Sequence, residues 1–114
     1  EKYSIMSLST SVSPFDVAIL PLFDKDGMGD VASEILVRVN SMPGLRGEMD
    51  SSKSIGRRYA RIDEIGVPWA ITVDHETLEN GSVTIRRRDD QKQVRASVDD
   101  VVSNLAAGTV SSLF

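Results

Sequence analysis

DSSKSIGRRYARIDEIGVPWAITVD, residues 50–74, decides the fold. It packs Arg57, Arg58 and Arg61 into five positions behind a serine-rich turn. Either Ser52 or Ser54 can cap a helix there, because a serine oxygen accepts from the unpaired N–H groups of a first turn. Ile55, Tyr59, Ile62 and Ile65 then lie along one side of that helix, the spacing of a face turned to a core. Gly66, Val67 and Pro68 stop it, since proline lacks an N–H and restricts the residue before it. Trp69 to Val73 follows as a short apolar run, the pattern of a buried strand.

The same alternation of strand and helix extends outward. Asp16 to Leu22 is a continuous apolar run that reads as a strand covered on both faces. Met28, Val31, Ala32, Ile35, Leu36 and Val39 recur at helical spacing, and Met42, Pro43 and Gly44 end that helix. A short strand near Leu45 to Met49 leads into the arginine block. On the other side, Glu79, Asn80 and Gly81 predict a tight turn into a hairpin strand, Ser82 to Arg88. Gln93 to Ala96 adds a short edge strand. Ser97, with Asp100 three positions on, opens a last helix whose face is Val98, Val101, Val102 and Leu105, closed by Gly108. The order β-α-β-α-β-β-α predicts an α/β fold around a mixed sheet. Its first three strands are parallel, one hairpin strand is antiparallel, and three helices cover both faces. Serine-rich residues 1–13 read as a connector, and residues 14–114 as the folded unit.

Bulk composition narrows the function. A chain of 114 residues holds one domain and one core. It has no cysteine, so no disulfide framework, thiolate metal site or cysteine nucleophile. Aromatics make up only 5%, which disfavours recognition by base stacking. The longest apolar run, Val17 to Phe23, is far short of the roughly 20 residues a membrane span needs. A net charge of −4 speaks against a general nucleic-acid coat. Residues 53–95 nevertheless carry nine basic side chains against seven acidic ones, a mildly basic middle between acidic ends. That distribution suits selective contact with one structured RNA, or equally a solvated surface. His75 is the only histidine and makes no metal constellation with scattered carboxylates.

The arginines divide into three groups. Arg57 and Arg61 share a helix face with Glu64, opposite the apolar stripe. Like charges at that spacing repel, and the positive first turn of the helix adds to the cost for Arg57. A nearby phosphate would offset both; alternatively Glu64 pairs with Arg61 and Arg57 is solvated. Arg58 falls at the edge of the buried arc, where a guanidinium needs a fixed partner such as Asp50, Asp63 or Asp74. It reads as a structural ion pair. On the hairpin strand, Thr84, Arg86 and Arg88 share one face and Val83, Ile85 and Arg87 the other. Arginine forks suit guanine edges or phosphate, and carboxylates such as Asp74, Glu76 and Glu79 can accept from a cytosine amino group. The competing reading is a cross-strand ladder of arginine and glutamate on an exposed face.

From about Tyr3 to Gly108, the chain resembles the C-terminal anticodon-binding domain of class II glycyl-tRNA synthetases. The motifs VAILPL, SIGRRYARIDEIGVP, AITVD and SVTIRRRDDQKQVR carry the resemblance, in order and at consistent separation. The family more commonly has an acidic residue where Arg87 stands. The resemblance implies a class IIa anticodon-binding architecture and recognition of the anticodon loop of a glycine tRNA, whose anticodon ends in two cytosines. It implicates Glu76 and Arg86 first, with Arg88, Asp74 and Gln91 next, beside the Arg57 and Arg61 read above. For the whole enzyme it implies ligation of glycine to tRNA with ATP and Mg2+, a homodimer and a cytoplasmic location; the fragment itself is expected to be a monomer. It also implies that the connector, residues 1–13, leads from a preceding catalytic domain.

No residue is expected to be catalytic. Neither a GxxxxGK[ST] nor a GxGxxG loop occurs, and no arginine pair of a class II adenylation site precedes Pro14. Two other readings remain at this stage. One is the related domain of a mitochondrial DNA polymerase accessory subunit. The other is a flavodoxin-like module holding a small anion at the helix after Ser54.

Overall fold

A computed structural model describes residues 15–22, 27–50 and 55–114 of the chain. The connector expected over residues 1–13, the capping serines Ser52 and Ser54, and the anion site expected beside them lie outside the described residues.

Five strands form one sheet in the order β2-β1-β3-β4-β5. They are β1 (Val17–Pro21), β2 (Gly47–Met49), β3 (Trp69–Val73), β4 (Ser82–Arg87) and β5 (Gln93–Ser97). The strands β2, β1 and β3 are parallel, whereas β4 runs antiparallel to β3 and β5 antiparallel to β4. The helices are α1 (Met28–Asn40), α2 (Ile55–Glu64), α3 (His75–Asn80) and α4 (Val98–Ala107), followed by a 3-10 turn at Val110–Leu113. The mixed α/β sheet and its three main helices are those the sequence predicts.

The period-two geometry of β1 explains its unbroken apolar sequence. Val17 and Ile19 point to one face of the sheet, where Ile35 and Val39 of α1 and Val101 and Leu105 of α4 close the main core. Ala18 and Leu20 point to the other, where Ile62 of α2 and Val67 close a smaller one. All five residues of β1 are buried, as a strand covered on both sides requires. Gly47 starts β2 because α1 lies close against it. A Cβ there would stand 3.2 Å from Leu36 Cδ1 and Val39 Cγ1.

One connection differs from expectation. The link between β3 and β4 is the six-residue helix α3, not a tight turn. Asp74 is its N-cap: the carboxylate accepts from the Thr77 N–H, while the Thr77 hydroxyl meets the Asp74 N–H. This reciprocal box satisfies two donors and holds the first turn. Asn80 and Gly81 then end a helix where a hairpin turn was expected. Gly81 takes the left-handed conformation (φ 74°) and its N–H donates to the Thr77 carbonyl.

At the opposite end of β3 the chain closes on itself. The Phe114 ring lies 5.8 Å from that of Trp69, and the Arg87 guanidinium stacks over Phe114 at 4.6 Å. Trp69 packs against the main core.

Candidate nucleic-acid interface

The sheet face that α2 covers is only half covered. Over β1 and β3 the helix packs on Ala18, Leu20 and Ala70. On β4 and β5 the same face carries Thr84, Arg86, Gln93 and Arg95, with Thr84 opposite Arg95 and Arg86 opposite Gln93. Gln93 and Arg95 are exposed. This polar strip is bordered by α3 with its cap, which carry Glu76 and Asp74, and by the turn after β4, which carries Arg88 and Gln91. Arg57 and Arg61 stand apart from it on α2.

Arg86 lies at the edge of the helical cover and is not available to a base. It is 7% exposed, and its Nη1 and Nη2 donate to the two Asp63 carboxylate oxygens at 3.0 and 2.9 Å. The guanidinium also sits 4.7 Å from the centroid of the Tyr59 ring, and the Tyr59 hydroxyl is hydrogen-bonded to the Thr72 hydroxyl. The hydrogen bond to Asp63 raises the Arg86 pKa against the opposing pull of burial. The expectation that Arg86 presents an open fork is therefore corrected. The sequence alternation gives the right face, but the end of α2 stands over that position.

Arg88 shares the anchor without being consumed by it. Its Nε donates to the Asp63 carbonyl at 2.9 Å, and its backbone N–H donates to the Pro68 carbonyl at 2.9 Å. Its Nη1 lies 3.8 Å from Asp89, and the side chain is one-third exposed. Gln91, in the turn that follows, is exposed and has φ 60°. It is a non-glycine residue in the left-handed region, a conformation that a turn must hold against its intrinsic cost. Arg87 faces away and pairs with Asp90 through Nε and Nη2 at 3.1 and 2.8 Å. That pairing holds the Asp90 carboxyl down at about 2.

At the other end of β4, acidic side chains gather around Arg95. Its Nη2 donates to Asp74 Oδ2 at 2.5 Å and to Thr84 Oγ1 at 3.2 Å. Its Nη1 donates to the Ser82 carbonyl at 3.2 Å and the Ser82 hydroxyl at 3.0 Å. Its Nε faces Glu76 Oε1 at 3.6 Å. Burial pulls the Asp74 pKa upward, but hydrogen bonds from Arg95 and Thr77 outweigh it, so the net direction is down. Glu76 is half-exposed and otherwise meets only a long contact, 3.4 Å from Asn80 Nδ2, among those the structure shows. Glu79 and His75 are exposed on the same short helix.

The α2 arginines separate in a second way. Arg58 is 3% exposed and donates to the main-chain carbonyls of Pro21 at 2.5 Å, Asp50 at 2.8 Å and Leu22 at 3.2 Å. Where an ion pair with an aspartate was expected, the contacts shown for Arg58 are to main-chain carbonyls at the ends of β1 and β2. Arg61 pairs with Glu48 at 3.0 and 3.1 Å and with Asp50 at 3.3 Å, in place of the Glu64 partner its spacing offers. The Glu48 hydrogen bond raises its pKa against burial. Arg57 is exposed on the outer side of α2.

Residues 16–107 match the family described as the anticodon binding domain. The chain belongs to the anticodon-binding domain family.

Its relatives are specific. The chain is similar to the glycine–tRNA ligase of Methanothermobacter thermautotrophicus, at 52% identity over 98 residues, covering 86% of this chain and 17% of that protein. To the glycine–tRNA ligase of Methanothrix thermoacetophila it is 45% identical over 109 residues, covering 93% of this chain and 19% of that protein. It spans less than a fifth of the length of these curated relatives. Among solved structures, prolyl-tRNA synthetase from Cryptosporidium parvum, complexed with L-proline and AMP, superposes with a TM-score of 0.76 at 20% identity. That match covers 91% of this chain and 22% of the synthetase. The RNA-binding domain of threonyl-tRNA synthetase from the same organism gives a TM-score of 0.71 at 16% identity, over 88% of this chain and 24% of that one. These two likenesses establish the fold.

The two buried arginines, Arg58 and Arg86, are committed to carbonyls and to Asp63. No group of three or more His, Asp or Glu side chains among the described residues could hold a metal ion. No helix among them is long and apolar enough to cross a membrane.

The residue of this polar strip that the sequence reading did not single out is Arg95. A signal for it exists: strand alternation on Gln93–Ser97, paired antiparallel to β4, puts Arg95 beside Thr84 and on its face.

Proposed function

We propose that this chain reads the anticodon loop of a glycine tRNA as the anticodon-binding domain of a longer glycine–tRNA ligase. The observation that carries the reading is the 52% identity to a glycine–tRNA ligase across 86% of the chain. The half-covered sheet face supplies the surface. Glu76 offers a carboxylate that can accept from a cytosine amino group, and Arg88 offers terminal N–H groups for a base carbonyl or a phosphate. Gln91 extends that surface around the turn. Asp74 supports it from within the α3 cap, and Arg57 adds positive charge for phosphate on α2.

Thr84 and Arg88 are four residues apart, about 13 Å along a strand, so the strip can meet more than one base. A net charge of −4 leaves little unspecific attraction for RNA, and selectivity then rests on base edges more than on phosphate. In this reading, ligation of glycine to tRNA with ATP and Mg2+ belongs to the remainder of the enzyme, a cytoplasmic homodimer.

The test is binding of the chain to a glycine-tRNA anticodon stem-loop at low salt, compared with a stem-loop in which both cytosines are uracil. Cytosine-to-uracil replaces an amino donor with a carbonyl acceptor and leaves the backbone unchanged. Preference for the cytosine loop, reduced on the order of tenfold by Glu76→Gln, is the expected result. Equal affinity for both loops would remove anticodon reading from this face.

A further inference from the structure

Arg95 meets Ser82, Thr84, Asp74 and Glu76 at the α3 end of the proposed surface, yet it has nothing left with which to read a base. A guanidinium has five N–H donors in a fixed fork. In this structure all five face acceptors: two on Ser82, one on Asp74, one on Thr84 and, at longer range, one on Glu76. These acceptors belong to two pieces of chain, β4 and α3 with its cap. Ser82 and Thr84 are on β4, Asp74 caps α3, and Glu76 stands in its first turn.

We propose that Arg95 is a positioning residue for base discrimination. It ties the first turn of α3 to the β4–β5 hairpin and so fixes where the Glu76 carboxylate stands. The inference rests on the reading that the Glu76 face meets the anticodon.

The geometry supports a division of labour between the two carboxylates. Asp74 is consumed: Oδ1 accepts from the Thr77 N–H and hydroxyl, both at 3.1 Å, and Oδ2 accepts from Arg95. Glu76, two residues on, is restrained only by the long contacts to Arg95 and Asn80 and keeps lone pairs directed to solvent. Holding Asp74 firmly therefore aims Glu76 without occupying it. A six-residue helix has little internal stability of its own, so its orientation depends on such a tie. Lysine at position 95 would retain the charge but lose the planar fork, and one ammonium cannot meet the five acceptors spread over β4 and the capped first turn of α3.

The test measures discrimination, the ratio of affinities for the cytosine and uracil stem-loops, alongside thermal stability and the salt dependence of binding. Arg95→Lys is expected to lower the ratio on the order of tenfold, the size of one lost base-discriminating contact, with the salt slope unchanged. Glu76→Gln added to Arg95→Lys should lower it no further, because both changes act on one carboxylate. Thr84→Val, which removes a single acceptor, should lower the ratio less and in the same direction. It provides the readout if Arg95→Lys does not fold. Arg87→Lys, across the sheet, should leave the ratio at its original value.

A residue that only stabilises the fold would lower the melting temperature and leave the ratio alone; that result, with Glu76→Gln still effective, would overturn the role of Arg95 by itself. Absence of any cytosine preference in the unaltered chain would instead overturn the reading of the whole face.

Discussion

Arg86 and Arg95 occupy the same face of the sheet on neighbouring strands, two register positions apart. Both meet carboxylates in close geometry, but their side chains are 8% and 31% exposed respectively. The difference lies in α2, which extends over Arg86 and stops short of Arg95. Under the helix, Arg86 pairs with Asp63 and lies against Tyr59, bracing α2 on the sheet. Beyond the helix, Arg95 organises acidic groups at the surface. Helical cover, more than residue type or strand alternation, decides which arginine is buried and which stays at the proposed surface.

The sharpest way to break this comparison is to truncate each arginine. Arg86→Ala leaves the Asp63 carboxylate without its bidentate partner in a partly desolvated place and removes the guanidinium from the Tyr59 ring. Loss of one member of a buried pair costs about 3 kcal/mol or more. Because the Asp63 side chain retains 26% exposure, the low end of that range is expected. Urea denaturation would read it directly. Arg95→Ala, at a more exposed site, should cost about 1 kcal/mol. Equal losses for the two variants would erase the distinction between scaffold and surface.

How much of this was legible in the sequence depends on whether the deciding contact was local. The apolar run of β1 and the face of α1 are periodic patterns within one element, and they gave strand and helix correctly. The faces of β4 were legible for the same reason, with Val83 and Ile85 on one and Thr84 and Arg86 on the other. What alternation does not contain is the position of a helix packed across that face, so Arg86 was expected to be open. Likewise Asn80-Gly81 is a strong hairpin signal by itself. It was outweighed by Asp74 and Thr77, whose spacing makes a capping box and turns the intervening residues into α3. Arg61 shows the same limit. Its spacing offers Glu64 on its own helix, but the folded chain brings Glu48 and Asp50 of the neighbouring strand closer. Arg95 was not singled out because its acceptors on Ser82, Asp74 and Thr84 lie 11 to 21 residues away.

A smaller effect sharpens the α3 side of the comparison through pH. Asn is nearly as good an N-cap as Asp, so Asp74→Asn keeps the Thr77 N–H satisfied and removes mainly the charge facing Arg95. The expected cost is about 1 kcal/mol at neutral pH. The folded pKa of Asp74 is depressed, so its ionic stabilisation is fully present above the unfolded value of about 3.9 and is lost as pH falls through the lower folded value. Urea melts of both proteins from about pH 7 to about pH 2 should therefore converge at the acidic end. A difference that persists after Asp74 is protonated would mean that Arg95 recognises the shape of the cap and not its charge.

The smallest effect is expected across the sheet, where an arginine and carboxylate pair lies away from the proposed surface. Arg87 and Asp90 form two hydrogen bonds at 3.1 and 2.8 Å, and the Asp90 pKa is lowered to about 2 chiefly by that side-chain bond. The pair is local to the β4–β5 turn, so its electrostatic consequence should be local too. Arg87→Gln should return the Asp90 titration, followed by NMR of its carboxyl carbon, toward the ordinary carboxylate range. Asp74 should titrate as before, because Arg87 points to the opposite face of β4 from Thr84 and the acidic cluster around Arg95. If Asp74 shifted together with Asp90, the two ends of the hairpin would be mechanically coupled. The turn bearing Gln91 would then help to set the α3 end of the interface, and the tie made by Arg95 would be one of two.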